Sequence, residues 1–174
     1  MVTLLLILRL VHILAGVFWA GASFLMTWFI EPAVRASGDD GRRFMQRMAA
    51  SGRFGRAMAT AGGASVLAGL WLMWILGDTL GTQFFETGRG LALSLGMLLG
   101  IAAFVVGMVM QNRSTRRMAA IGREVAAAGG PPSPAHAAEM EKLSGTVRRG
   151  GQIVSILLLV TVILMAVSRY VPSF

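Results

Sequence analysis

Arg9 and His12 stand three residues apart in a stretch, Leu4 to Ile30, that is otherwise almost wholly apolar. An ionisable group at the centre of a bilayer costs about 3 kcal/mol to insert, so each such residue calls for a chemical or a packing reason. On a helix a spacing of three places both side chains on one face, which continues through Gly16, Trp19 and Ser23. A neutral imidazole can offer one ring nitrogen to a metal or carry a proton, and it can equally serve as a hydrogen-bonded packing group. Both readings of His12 stand at this stage.

His12 falls about 10 Å inside one end of its helix, at about 1.5 Å of rise per residue. Counting inward from the same end of the other apolar segments brings Met73, Met97 and Met165 to a similar depth. Imidazole opposite thioether is an axial pair for haem iron, and methionine also suits Cu(I). Arg9, Arg89 and Arg169 lie near the same boundary. Guanidinium forks take carboxylates two-pronged, so Arg9 and Arg89 could receive haem propionates, while Arg169 reads better as a snorkelling interfacial residue. Trp19 faces the His12 side. The constellation reads as a site for haem b, with copper as the alternative and core filling as the plain account of the twelve methionines.

Much other chemistry is absent. Without cysteine there is no disulfide, thiolate metal site or iron–sulfur cluster. No serine nucleophile with a base, carboxylate pair, phosphate loop or His-x-x-His cluster occurs. His136 lies in a polar stretch near a helix start and reads as an exposed histidine. Glu31-Pro32 reads as a helix end, with Glu31 paired to a nearby arginine. Two histidine ligands for one haem would require His12 from each of two copies.

These residues must be positioned by an all-α membrane fold. The chain has 174 residues, is 55% hydrophobic and 14% charged, and its mean hydropathy is +0.68. Lipid is the expected solvent. Four stretches reach the roughly 20 apolar residues a span requires: 4–30, 57–76, 91–110 and 153–171. The whole of 1–174 reads as one transmembrane domain, and the first segment, lacking a basic n-region, reads as a retained span rather than a cleaved signal. Connections 31–56 and 111–152 carry most of the arginines, whereas the short second one holds only Asp78, Glu86 and Arg89. The positive-inside rule therefore predicts a four-helix bundle with both termini outside, in the inner membrane of a bacterium. The net charge of +8 flanks apolar segments and marks topology, not nucleic-acid binding.

Residues 113–128 are alanine-rich and break at Gly129-Gly130-Pro131-Pro132, after which Ser133-Pro134 supplies N-cap and N1 residues. A cytoplasmic helical hairpin between the third and fourth spans follows. In the first connection, Asp39 or Asp40 is expected to cap a short amphipathic helix with Phe44 and Met48 on one side and Arg43 and Arg47 on the other. Trp28, Trp71 and Trp74 fit interfacial belts. Small residues at four-residue spacing (Gly16 and Ala20, Ala64 and Ala68, Ser65 and Gly69, Gly96 and Gly100) suit close helix contact, within one chain or between two copies.

The segment from Leu8 to Gly21, with His12, Trp19 and Gly21 in that order, resembles the opening helix of the copper resistance D (CopD) type membrane proteins and of the HemJ-type protoporphyrinogen oxidases. The resemblance implies an axial haem ligand at His12 in the HemJ-type case, or a place in a copper pathway in the CopD-type case. The HemJ-type pattern has a lysine at the start of the third helix, where this chain has Arg89. That departure bears on the oxidase activity and leaves haem binding as the implication. The hairpin followed by Met165 to Tyr170 is similar to uncharacterised bacterial proteins of this broad group. The expected function is a membrane-embedded haem b protein in redox or electron transfer. The alternatives are copper handling or a structural subunit that docks on a larger membrane complex.

Overall fold

The computed structural model describes residues 2–171; residue 1 and residues 172–174 of the expected single domain lie outside them. Every regular element among the described residues is helical. The first span runs from Val2 to Ala36 without a break, as α1 (Val2–Leu25), a π-helical turn (Met26–Ile30) and α2 (Glu31–Ala36). After α3 (Gly38–Ser51), α4 (Arg53–Leu80) returns across the bundle. A 3₁₀ turn (Thr82–Glu86) leads into α5 (Gly88–Val106), which passes through a second π turn (Gly107–Asn112) into α6 (Arg113–Ala128). The last long helix, α7 (Pro134–Val167), ends in a 3₁₀ turn at Ser168–Tyr170.

Four of these continuous helices are long and apolar enough to cross a membrane. Their outward surfaces are apolar, with Leu14 and Val17 each 67% exposed, whereas Ser23, Ser65, Ser155, Thr161 and Ser168 are buried. A water-soluble bundle would reverse that arrangement, so the chain is a multi-pass membrane protein. The buried hydroxyls are satisfied: Ser155, Thr161 and Ser168 donate to carbonyls three or four residues earlier in α7. Among the described residues no buried side-chain polar atom lacks a partner.

The helices form a ring in the order α1, α4, α5, α7, with α1 packed mainly on α4 and α5 mainly on α7. Small residues make both seams. A Cβ at Gly16 would lie 3.0 Å from Ser65 Oγ, and one at Gly96 would lie 3.3 Å from Met165 Cγ. The four-residue pairs thus close seams within one chain. Trp19 sits at the bundle centre, 7% exposed, with Ala103, Val154 and Leu158, and its ring meets Phe104 edge-on at 6.0 Å.

Pro32 does not end the first helix. The π turn ahead of it, closed by the Glu31 N–H on the Met26 carbonyl, places Pro32 in the first turn of α2. Inside a regular helix its ring would collide with the carbonyl four residues back, and the wider turn accounts for its being tolerated. Asp39 and Asp40 do not cap α3: they lie in its first turn, with Ser37 at the N-cap position, and they pair loosely with Arg42 and Arg43 at 3.6 Å. Phe44 is exposed and Met48 half-buried. Gly41 packs onto the α2 backbone, where a Cβ would collide with the Val34 carbonyl.

α6 stops at Gly129, whose φ of +66° is open chiefly to glycine, and Ser133 Oγ accepts the His136 N–H at 3.2 Å to start α7. The two arms are tied by Arg117, which donates from Nε and Nη2 to Glu139 at 2.7 and 2.9 Å. That fork holds the Glu139 carboxyl below its ordinary range.

Candidate functional site

α1 and α4 meet at His12. A backbone carbonyl can only accept, so at 2.7 Å from the Ser65 carbonyl oxygen His12 Nδ1 carries the proton and donates it. The carbonyl of residue 65 lies within α4, where helix geometry already commits it to the N–H of residue 69. His12 uses its second lone pair. Access to that lone pair depends on Gly69, where a Cβ would lie 2.8 Å from His12 Cε1 and 2.9 Å from Nδ1. Ser65 returns the contact, its Oγ donating to the His12 carbonyl oxygen at 3.2 Å. The imidazole is half-buried, seated on bare α4 backbone with its tautomer fixed and Nε2 left as the basic nitrogen. Histidines that ligate metals commonly use this same device, one nitrogen donating to a carbonyl while the other binds.

The remaining expected site residues disperse around this seam. Met73 lies one turn beyond Gly69, so Ser65 and Gly69, not Met73, stand directly across from His12. Met165 packs over Gly96 in the α5/α7 seam, and Met97, half-buried, follows Gly96 on α5. Trp19, two turns along α1, belongs to the central core, where a Cβ at Gly62 would lie 3.1 Å from its Cε2. Arg9 and Arg89 are exposed and form no ion pair among the described residues. Arg89 follows the Thr87 cap, whose Oγ1 accepts the Gly90 N–H at 3.0 Å. Arg169 lies over the Tyr170 ring, 4.9 Å from its centroid.

No group of three or more His, Cys, Asp or Glu side chains converges as a metal cage among the described residues. A ligand at His12 would therefore need thioethers, a macrocycle or solvent to complete its coordination. His136 is half-buried in the hairpin, 3.5 Å from Glu124. Comparison with family models, with curated proteins and with solved structures finds no match.

A second polar region was not anticipated. At the hairpin end of the bundle, a cavity of about 510 Å³ opens between the first π turn with α2 and the start of the apolar part of α7. Thr27, Glu31, Arg35, Arg148, Arg149 and Gln152 face it, and the adjoining Trp28 Nε1 donates to Ser155 Oγ at 3.0 Å. Both π turns press on one point of α7: a Cβ at Gly151 would lie 3.0 Å from Thr27 Oγ1, and one at Gly150 would lie 3.1 Å from Met110 Cβ. The sequence signal was the Arg148-Arg149-Gly150-Gly151-Gln152 run, which reads as a topology marker when taken alone.

Proposed function

We propose that this protein is a haem b protein of the bacterial inner membrane with a redox or electron-transfer role, and that His12 Nε2 is the axial ligand. One observation carries the proposal: the Nδ1–H bond to the Ser65 carbonyl fixes the tautomer in which Nε2 can bind iron, and Gly69 provides the cradle that holds the ring there. The opening-helix resemblance to HemJ-type proteins supports the same assignment. When bound, haem would supply one-electron chemistry. The chain's own part is to hold the proton on Nδ1, to orient the ring through the Ser65 exchange and to keep the seam closed against water. Arg9 and Arg89, free of acidic partners, are the groups that would meet the propionates. The thioethers of Met97 and Met165 belong to the α5/α7 seam, so His12, Arg9 and Arg89 are the residues that would hold the group.

Copper handling has less support, because the thioethers are spread over two seams and no further imidazole lies within the apolar spans. The charge distribution supports both termini outside and the hairpin in the cytoplasm. The test is the absorption spectrum and metal content of protein purified in detergent after expression with ample haem. A Soret band lost in His12→Ala but retained in His136→Ala is the expected result. Copper without a Soret band would transfer the site to copper handling. Neither haem nor copper, with His12→Ala changing stability alone, would make His12 a packing group and the protein a structural subunit.

A further inference from the structure

The cavity at the hairpin end has the chemistry of an anion site, and it stands apart from His12. Arg35 from α2 and Arg148 and Arg149 from α7 face one space, opposed by a single carboxylate, Glu31. None of the four forms an ion pair with another residue among the described ones. Uncompensated guanidinium groups on two different spans repel one another across the cleft, and an anion between them would remove that cost. Planar forks of this kind take phosphate oxygens two at a time.

The walls restrict the anion further. Thr27 and Gln152 add neutral polar groups beside the arginines. The volume, about 510 Å³, is within the range of about 300–1,000 Å³ found for small-molecule sites and exceeds what a bare ion requires. Glu31 would repel a bare anion but accept a hydrogen bond from a hydroxyl or ammonium carried next to it. The site also adjoins the end of an apolar span, and the ends of such spans are where a bilayer presents its headgroups. The cleft is lined in part by the π turn of the first span, a distortion found frequently at functional sites.

We infer that this cleft binds a phosphate ester bearing a hydrogen-bond donor, gripped by Arg35, Arg148 and Arg149 with Glu31 taking the donor. Two sources carry that chemistry, the headgroup of a glycerophospholipid and a soluble phosphate ester. Native mass spectrometry of the full chain, released from vesicles of equal phosphatidylglycerol and phosphatidylcholine, distinguishes them together with calorimetric titration of delipidated protein by glycerol 3-phosphate. A lipid site retains one phosphatidylglycerol in preference to phosphatidylcholine, and Arg35→Gln and Arg148→Gln each lower that retention at least ten-fold. Arg43→Gln, on the exposed face of α3, leaves it unchanged. A soluble-ester site shows no lipid preference but binds glycerol 3-phosphate with the same sensitivity to the two substitutions. Either pattern supports the site. Absence of both from wild-type protein, or retention indifferent to Arg35→Gln and Arg148→Gln in variants that elute and melt as wild type does, overturns it.

Discussion

Gly69→Ala tests the His12 seam most directly. The new methyl would stand 2.8 Å from His12 Cε1, whereas ordinary contact begins near 3.4 Å, so the ring must withdraw by about 0.6 Å. Taken along the bond to Ser65, that movement stretches 2.7 Å to about 3.3 Å, beyond the good range for a hydrogen bond. Overpacking of this order costs about 1–3 kcal/mol, and the weakened bond adds about 1 kcal/mol. Replacing a mid-helix glycine returns nearly 1 kcal/mol. The net loss is about 2 kcal/mol, roughly a 30-fold shift in the folding equilibrium. Unfolding by SDS in mixed micelles, followed by tryptophan fluorescence, measures it. Gly21→Ala, whose methyl meets nothing within 4 Å, should be neutral or slightly stabilising. The decisive comparison is the double variant. With His12→Ala already present the obstacle is gone, and Gly69→Ala should return the roughly 1 kcal/mol of helix propensity, a coupling of about 3 kcal/mol. An equal cost in both backgrounds would show that the methyl is resisted by something other than the imidazole, and the cradle would be refuted.

Trp19→Ala empties the centre of the bundle and should cost about 3–5 kcal/mol in the same unfolding assay. Gly41→Ala drives a methyl into the Val34 carbonyl and should separate α3 from α2, seen as faster hydrogen exchange across residues 38–51 with the spans unaffected. Trp28→Phe keeps the ring but removes the Ser155 bond, a loss of about 1 kcal/mol. In the hairpin, Glu139 is held below its ordinary value of 4.5 by Arg117. Its stabilising contribution is therefore fully present above pH 4.5 and is lost as the pH falls through the lower folded value. Hydrogen exchange in α6 should accelerate as the pH falls below 4.5, beyond the intrinsic rate change, and Glu139→Gln should abolish that extra dependence.

The spans were legible because a run of about 20 apolar residues has few other uses, and the hairpin turn because Gly129 and Ser133 carry specific cap roles. Small residues at four-residue spacing announced close seams without saying whose. The His12 partner was hidden, since a main-chain carbonyl has no signature in sequence; Ser65 and Gly69 were visible only as packing. Depth counting brought Met73 level with His12 but could not say which residue of α4 faces the imidazole, because it fixed each helix by its end and took no account of how the seam sets the register. Pro32 misled for a related reason. A proline reads as a stop, and whether a wider turn ahead of it absorbs the clash depends on what presses against that turn, here Gly151 on a helix about 120 residues away.

The His12–Ser65 exchange also constrains the order of biogenesis. α1 precedes its partner on the chain by 53 residues, so during synthesis it reaches lipid with an imidazole whose hydrogen-bond acceptor has not yet been made. Until α4 arrives, that proton must be shared with water, headgroups or the insertion machinery. The seam that His12 locks in the finished bundle therefore cannot close until the chain has been made at least as far as Ser65.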